Sequence, residues 1–317
     1  MTHTRRGREA TRPHAISGSG WYDILWRVHK ALVDDRVTML AAGIAFYALL
    51  ALFPAIAALI SFWALVFDPQ DMARQIIEFS RILPPGAASL VGDQAREISE
   101  NTSRGLSLTA VGGVLVALFV ASKGVRGMIV GLNVVYGEGE RRTFWRRGLV
   151  VGAMTVGLVV VTLVTMLLVA LVPLVIDALR LDPWLVTGIR LLRWPILLLV
   201  MMFLIAVLYR FGPYRRAPRW EWLSVGTISA TLLWLLGSGG LSLYVGHMAT
   251  LNQLYGSLGA VVVLMLWFWL SAFVVLLGGE INSEMERQTR RDTTVGDPRP
   301  PGERGAHAAD TLGRGRP

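Results

Sequence analysis

Apolar positions along this chain come in long blocks rather than in alternation with polar ones. Residues 37–67 carry no charge, and further charge-free blocks cover 105–122, 148–176 and 194–209. The longest block runs over 222–279, with His247 as its only group able to carry a positive charge. A stretch of about 18 or more apolar residues is long enough to cross a bilayer as a helix. The last block is long enough for two, and polar and small residues divide it at HMATLNQLYGS, 247–257. Six spans result, at 39–67, 106–135, 148–176, 188–209, 222–246 and 257–279. The pattern predicts an all-α polytopic membrane protein whose transmembrane domain occupies 37–283.

The flanks read differently. Over 21–36, Trp21, Leu25, Val28 and Leu32 recur at helical spacing, while Asp23, Arg27, Lys30 and Asp34 take another face. That predicts an interfacial amphipathic helix leading into the first span. Segment 68–105 reads as an external loop. Within it Met72, Ile76, Phe79 and Leu83 suggest a short helical hairpin that ends at Pro84 and Pro85. Residues 1–20 read as a disordered basic segment without the apolar core of a signal peptide. The tail, 284–317, is mostly rich in Arg, Gly, Pro and Asp, and from Thr289 onward its composition is that of a disordered segment.

Charge sets the orientation. Only 17% of the 317 residues are charged, against about 25% in soluble domains. Of the 31 Lys and Arg residues, 24 fall before the first span, around the second loop, in the fourth loop or in the tail. The alternation follows the positive-inside rule and predicts cytoplasmic termini. The net charge of +9 is then explained by basic cytoplasmic loops, and no nucleic-acid partner is expected. The chain has no Cys, which excludes disulfides and thiolate metal sites.

Three stretches carry a resemblance: AAGIAFYALLALFP at 41–54, GLNVVYGEGERRTFWRR at 131–147, and YGSLGAVVVLMLWFWLSAFVVLLGGEINSE at 255–284. The sequence resembles the YihY/BrkB family of bacterial inner-membrane proteins, once labelled ribonuclease BN. Trp269 departs from the family pattern, which more often has Tyr there. The resemblance implies six membrane helices in the bacterial inner membrane. It also implies transport of a lipid or other amphiphile and support of envelope integrity.

The residues themselves oppose enzymatic chemistry. His3, His14, His29, His247 and His307 include no pair at metal-ligand spacing, which a metal-dependent nuclease needs. Ser238 and His247 lie nine residues apart on one helix, so they cannot meet as a nucleophile and base. No cofactor and no metal are expected. The candidates are binding residues instead. Lys123 and Arg126 share a helix face near the inner end of span 2. They either snorkel to headgroups or face the bundle interior as a site for an anionic membrane lipid. Asn133, Tyr136, Glu280 and Asn282 gather at the same membrane face, either as binding groups or, for Asn133, as a hydrogen-bonding partner of a neighbouring helix. There Glu280 is expected to pair with Arg126, Arg141 or Arg142, or else to be a solvated helix terminus.

Two weak points interrupt the helices. Pro54 removes a backbone hydrogen bond within span 1. Gly237, Gly239 and Gly240 flank Ser238 in the middle of span 5. Broken helices near the midplane line many transporter sites, so these positions are candidate hinges, with Tyr255 and Gly256 as an outer gate or an ordinary turn. Gly127 with Gly131, and Gly148 with Gly152, have the spacing that permits close helix packing. The expectation is a transporter or flippase of a lipid or amphiphile. The alternative is a non-transporting scaffold that docks envelope partners through 68–105 or the basic tail.

Overall fold

The computed structural model describes residues 6–66, 108–179, 182–247 and 257–316. Its helices are α1 (Gly18–Asp34), α2 (Val37–Val66), α3 (Leu108–Val135), α4 (Phe144–Leu179), α5 (Pro183–Phe211), α6 (Trp220–His247), α7 (Ser257–Glu286) and the short α8 (His307–Asp310). No strand occurs among the described residues, only an isolated bridge between Pro218 and Thr294. Among the described residues, five helices are long and apolar enough to cross a membrane, or six if the bent pair α1–α2 counts as one span. The chain is an all-α polytopic membrane protein. The expected hairpin in 68–105, Tyr255 and Gly256 lie outside the described residues.

The helices divide into two compact units. One unit combines 1–38, 128–233 and 274–317. Its apolar centre is Ala10, Ile16, Ile24, Val28, Trp222, Ile281 and Met285. Helix α1 starts under a cap from Ser17, whose Oγ accepts from Gly20 N at 3.3 Å. Gly20 is required there because a side chain would run into the Arg6 carbonyl. The turn into α2 passes through Arg36 with φ at 51°, a left-handed conformation that costs a non-glycine residue energy.

The face that α1 buries differs from the expected one. Asp23 and Arg27 are buried together with Ile24 and Val28, while Tyr22, Leu25 and Val33 are exposed. The cause is the end of α7. Arg27 donates through Nε to Glu284 at 2.5 Å, and through Nη2 to Glu284 O at 3.0 Å and Gln288 Oε1 at 2.9 Å. The stripe that hydrophobic patterning assigns outward is therefore a docking stripe.

Close backbone approach joins α6 to α7. A Cβ at Gly226 would collide with Gly278 O, and one at Gly278 with Gly226 O and the Tyr209 hydroxyl. Small residues let membrane helices approach in this way. By contrast, Gly148 and Gly152 have open space where a Cβ would stand, so that pair does not mark a helix contact among the described residues.

The terminal segments also depart from their composition. Arg304 is buried and donates to Ala309 O at 2.6 Å, Arg290 O at 2.7 Å and Arg299 O at 3.1 Å. Backbone bonds tie the tail to the α5–α6 turn: Arg216 N to Gly305 O, Arg219 N to Thr293 O, and Val295 N to Ala217 O. A segment poor in apolar residues takes a defined path here because guanidinium groups satisfy its carbonyls.

The second unit comprises 39–127 and 234–273. In it Gly127 lies against Ile44, with 3.3 Å left for a Cβ, so α2 and α3 pack closely. Trp234 and Trp267 meet edge to face at 5.9 Å. Helix α6 continues unbroken through Gly237–Gly240, and α2 continues through Pro54.

Candidate functional site

The first unit concentrates buried polar groups where α3, α5, α6 and α7 end or begin. Helix α3 stops at a glycine. Gly137 has φ at 66°, Gly137 N donates to Val134 O at 2.9 Å, and Glu138 N donates to Asn133 O at 2.7 Å. This is the Schellman arrangement, which satisfies carbonyls left free at a helix C-terminus. It turns the chain so that Asn133, Tyr136 and Glu140 face the turn after α5.

That turn is held from several sides. Asn133 Oδ1 accepts from Tyr214 N at 2.8 Å, and its Nδ2 donates to Glu140 at 3.2 Å. Arg142 pairs with Glu140 at 3.1 Å and donates to Gly212 O at 3.1 Å and Pro213 O at 2.8 Å. Next to it, Arg215 and Glu286 form a two-pronged ion pair at 3.0 and 2.6 Å, with both side chains 0% exposed. Tyr136 places its ring 4.8 Å from the Arg215 guanidinium, and Thr293 Oγ1 donates to Glu286 at 2.7 Å. Burial alone would lower the Arg215 pKa, but the Glu286 carboxylate outweighs it and holds the guanidinium above its ordinary value. Burial raises the Tyr136 phenol above its usual range. It also raises Glu138, against the opposing hydrogen bond from His307 N.

On α7, Asn282 reaches across to α6. Its Oδ1 accepts from Gly226 N at 2.8 Å, and its Nδ2 donates to Leu223 O at 3.4 Å. Tyr209 of α5 donates to Val275 O at 2.6 Å. Glu280 lies on the same helix, 2% exposed, with Oε2 lacking any hydrogen-bond partner.

The structure thus brings together Asn133, Tyr136, Glu280 and Asn282 in one unit. It does not give Glu280 the expected partner. Arg142 is engaged by Glu140, and Glu280 forms no ion pair among the described residues. Nor is Glu280 a solvated terminus, because α7 continues to Glu286. Arg27, Arg215 and Glu286 were not legible as site residues. Their one sequence signal is charge placed within or just beyond apolar segments.

Lys123 and Arg126 belong to the second unit, half-buried on α3. Lys123 Nζ sits 4.5 Å over the Phe119 ring, and neither residue has a carboxylate partner among the described residues. The proposed break at Gly237–Gly240 is absent: Gly237 packs on Leu270, while Gly239 and Gly240 face open space. Ser238 accepts from Trp267 Nε1 at 3.2 Å, the position of a packing residue. Among the described residues no three His, Cys, Asp or Glu side chains are placed to hold a metal.

Comparison with known proteins matches the family model "Virulence factor BrkB" over residues 28–302. A ribonuclease-like protein of Bacillus subtilis, YfkH, is 28% identical over 258 residues, covering 79% of this chain and 90% of that protein. A UPF0761 membrane protein of Tolumonas auensis is 26% identical over 286 residues, covering 84% and 87%. Another from Aliivibrio fischeri is 28% identical over 273 residues, covering 84% of each chain. No solved structure matches. The matched region takes in all of the helical bundle and most of the polar network at its end, and the chain belongs to the BrkB virulence factor family.

Proposed function

We propose that this chain is a transporter or flippase of a lipid or other amphiphile with an anionic group, working in the bacterial inner membrane with both termini cytoplasmic. One observation carries the reading. Lys123 and Arg126 lie three residues apart within the candidate span Gly112–Val135, half-buried and without a carboxylate partner among the described residues. Uncompensated cations inside a membrane span are costly and are kept mainly where they meet an ion or a substrate. No catalytic step is part of this reading. A scaffold docking partners through 68–105 or the tail is the alternative; against the tail as the docking segment, Arg304 and the backbone at Thr293, Val295 and Gly305 are engaged within its own unit.

The test is native mass spectrometry of gently extracted wild type against Arg126→Ala, followed by a dithionite-quench assay of a fluorescent anionic phospholipid in proteoliposomes. The proposal expects a bound anionic lipid that the variant loses, and exchange between leaflets that slows with it. Exchange no faster than in protein-free liposomes defeats it.

A further inference from the structure

A second cationic site lies in the first unit, independent of Lys123 and Arg126. The end of the tail, Gly313 to Arg316, rests on three arginines. Arg8 Nη2 donates to Gly313 O at 2.7 Å, and Arg27 Nη1 donates to Arg314 O at 3.1 Å. Arg6 lies against Gly315, where a Cβ would strike its guanidinium. A Cβ at Gly313 would likewise meet Arg27, so glycine at both positions lets the backbone sit on the guanidinium groups.

The three arginines are not equally compensated. Arg6 has Asp23 at 3.3 Å, and Arg27 has Glu284 at 2.5 Å. Arg8 forms no ion pair among the described residues. It is 6% exposed, its Nη1 is buried with no hydrogen-bond partner, and the acceptor its side chain meets among the described residues is a neutral peptide carbonyl. Arg27, Arg6 and Arg290 all act on it as like charges, against Asp23 alone. A buried guanidinium presents a planar fork suited to two oxygens of an anion, and leaving part of that fork empty is costly. The Gly313 carbonyl occupies only one prong.

We propose that the cradle of Arg6, Arg8 and Arg27 binds a phosphate group, and that the tail end at Gly313–Arg316 covers the empty site and is displaced when phosphate enters. The phosphate belongs either to a lipid headgroup or to a soluble phosphate compound. In both cases two oxygens take the Arg8 fork and replace Gly313 O. Gly313 N, which donates to Arg287 O at 2.8 Å, is then released along with the carbonyl.

The experiment uses the full chain in nanodiscs at constant ionic strength, with chloride as the control anion. One arm titrates inorganic phosphate into phosphatidylcholine discs. The other compares phosphatidylcholine discs with discs containing phosphatidylglycerol. Both are read by amide exchange at Gly313 and Gly315 and by thermal shift. Saturable binding with faster exchange at Gly313 is expected in at least one arm, and which arm responds identifies the source. Arg8→Gln should weaken it about tenfold, the loss expected for a hydrogen bond to a charged group. Arg290→Gln keeps the backbone bond to Arg8 O and a half-exposed position, and should weaken it about threefold. That variant decides the matter if Arg8→Gln fails to fold. No saturable response in either arm, or equal affinity in wild type and variants, overturns the proposal.

Discussion

Replacing Glu286 by Gln tests whether the buried ion pair holds the α5–α6 turn and the tail in place. Glu286 accepts three hydrogen bonds, two from Arg215 and one from Thr293, and both charged side chains are fully buried. Gln offers one oxygen and turns an NH2 group toward a guanidinium that has no other carboxylate within ion-pair distance among the described residues. Breaking a buried pair from one side costs about 3–5 kcal/mol, because a charge is left uncompensated. Removing both charges, as Arg215→Met with Glu286→Leu, should cost far less, within about 1 kcal/mol of wild type. The assay is reversible unfolding in mixed micelles. Amide exchange at Arg219 and Val295, whose N–H groups bond Thr293 O and Ala217 O, reports the local effect. The single variant should speed exchange at both amides and the double variant should restore part of the protection. A single-variant cost below about 1 kcal/mol, the value of an exposed pair, would refute the reasoning.

Three further outcomes follow from the geometry. Gly226→Ala or Gly278→Ala drives a methyl into a facing carbonyl and should destabilise by about 1–3 kcal/mol or more, measured by the same unfolding assay. Gly239→Ala and Gly240→Ala meet open space in a continuous helix and should stabilise by about 0.5–1 kcal/mol; a loss of lipid exchange in these variants with stability kept would restore the hinge role. Burial by itself would raise Asp292, but bonds from Thr294 N, Thr294 Oγ1 and Arg299 N outweigh it and hold its pKa below the ordinary carboxylate value. A depressed carboxylate stabilises above its unfolded pKa and loses that contribution as pH falls through the folded one. Exchange protection at Thr294 and Arg299 should thus hold from neutrality to about pH 4 and fade below it, and Asp292→Asn should abolish that dependence.

The spans were legible because a bilayer imposes length and apolarity together. Each described helix from α2 to α7 overlaps a charge-free block: α2 lies within 37–67, whereas α3 runs to Val135, past the block 105–122, and α5 starts at Pro183, before the block 194–209. What was not legible is the packing at their ends. Helix α7 continues beyond the apolar block through Glu280, Glu284 and Glu286, because Arg27 and Arg215 meet the last two inside the protein. Hydropathy counts those carboxylates as the end of a helix, since it has no access to a partner some 70 or 257 positions away. The same blindness turned the Asp23–Arg27 stripe outward. It also assigned the tail to disorder, where backbone carbonyls bonded by arginine leave no periodic signal. Hydropathy likewise gave no reason to separate Gly127, which packs on Ile44, from Gly148, which packs on nothing described.

The polar network also reorders the candidate site. Asn133 and Asn282 each spend their oxygen on a backbone N–H and their amide on an acceptor, so neither has a strong group left for a ligand. Tyr136 lends its ring to the Arg215 guanidinium. These residues explain why GLNVVYGEGERR and GGEINSE belong together: the first supplies Asn133, Tyr136, Glu140 and Arg142 around the α5–α6 turn, and the second ties α6 and the tail to α7. Their work is to seal the bundle end with bonds that need no water. Glu280 Oε2 and the Tyr136 hydroxyl are the exceptions, each buried with no hydrogen-bond partner, and Glu280 forms no ion pair among the described residues. On the proposed function, the groups left to meet an anionic lipid are Lys123 and Arg126, which have no carboxylate partner among the described residues. If so, Asn133→Ala and Asn282→Ala should lower stability while sparing anionic-lipid binding per folded molecule, whereas Arg126→Ala should do the reverse. Lipid retention by native mass spectrometry, normalised to folded protein, separates the two classes, and loss of lipid in the asparagine variants at full folding would return them to the binding site.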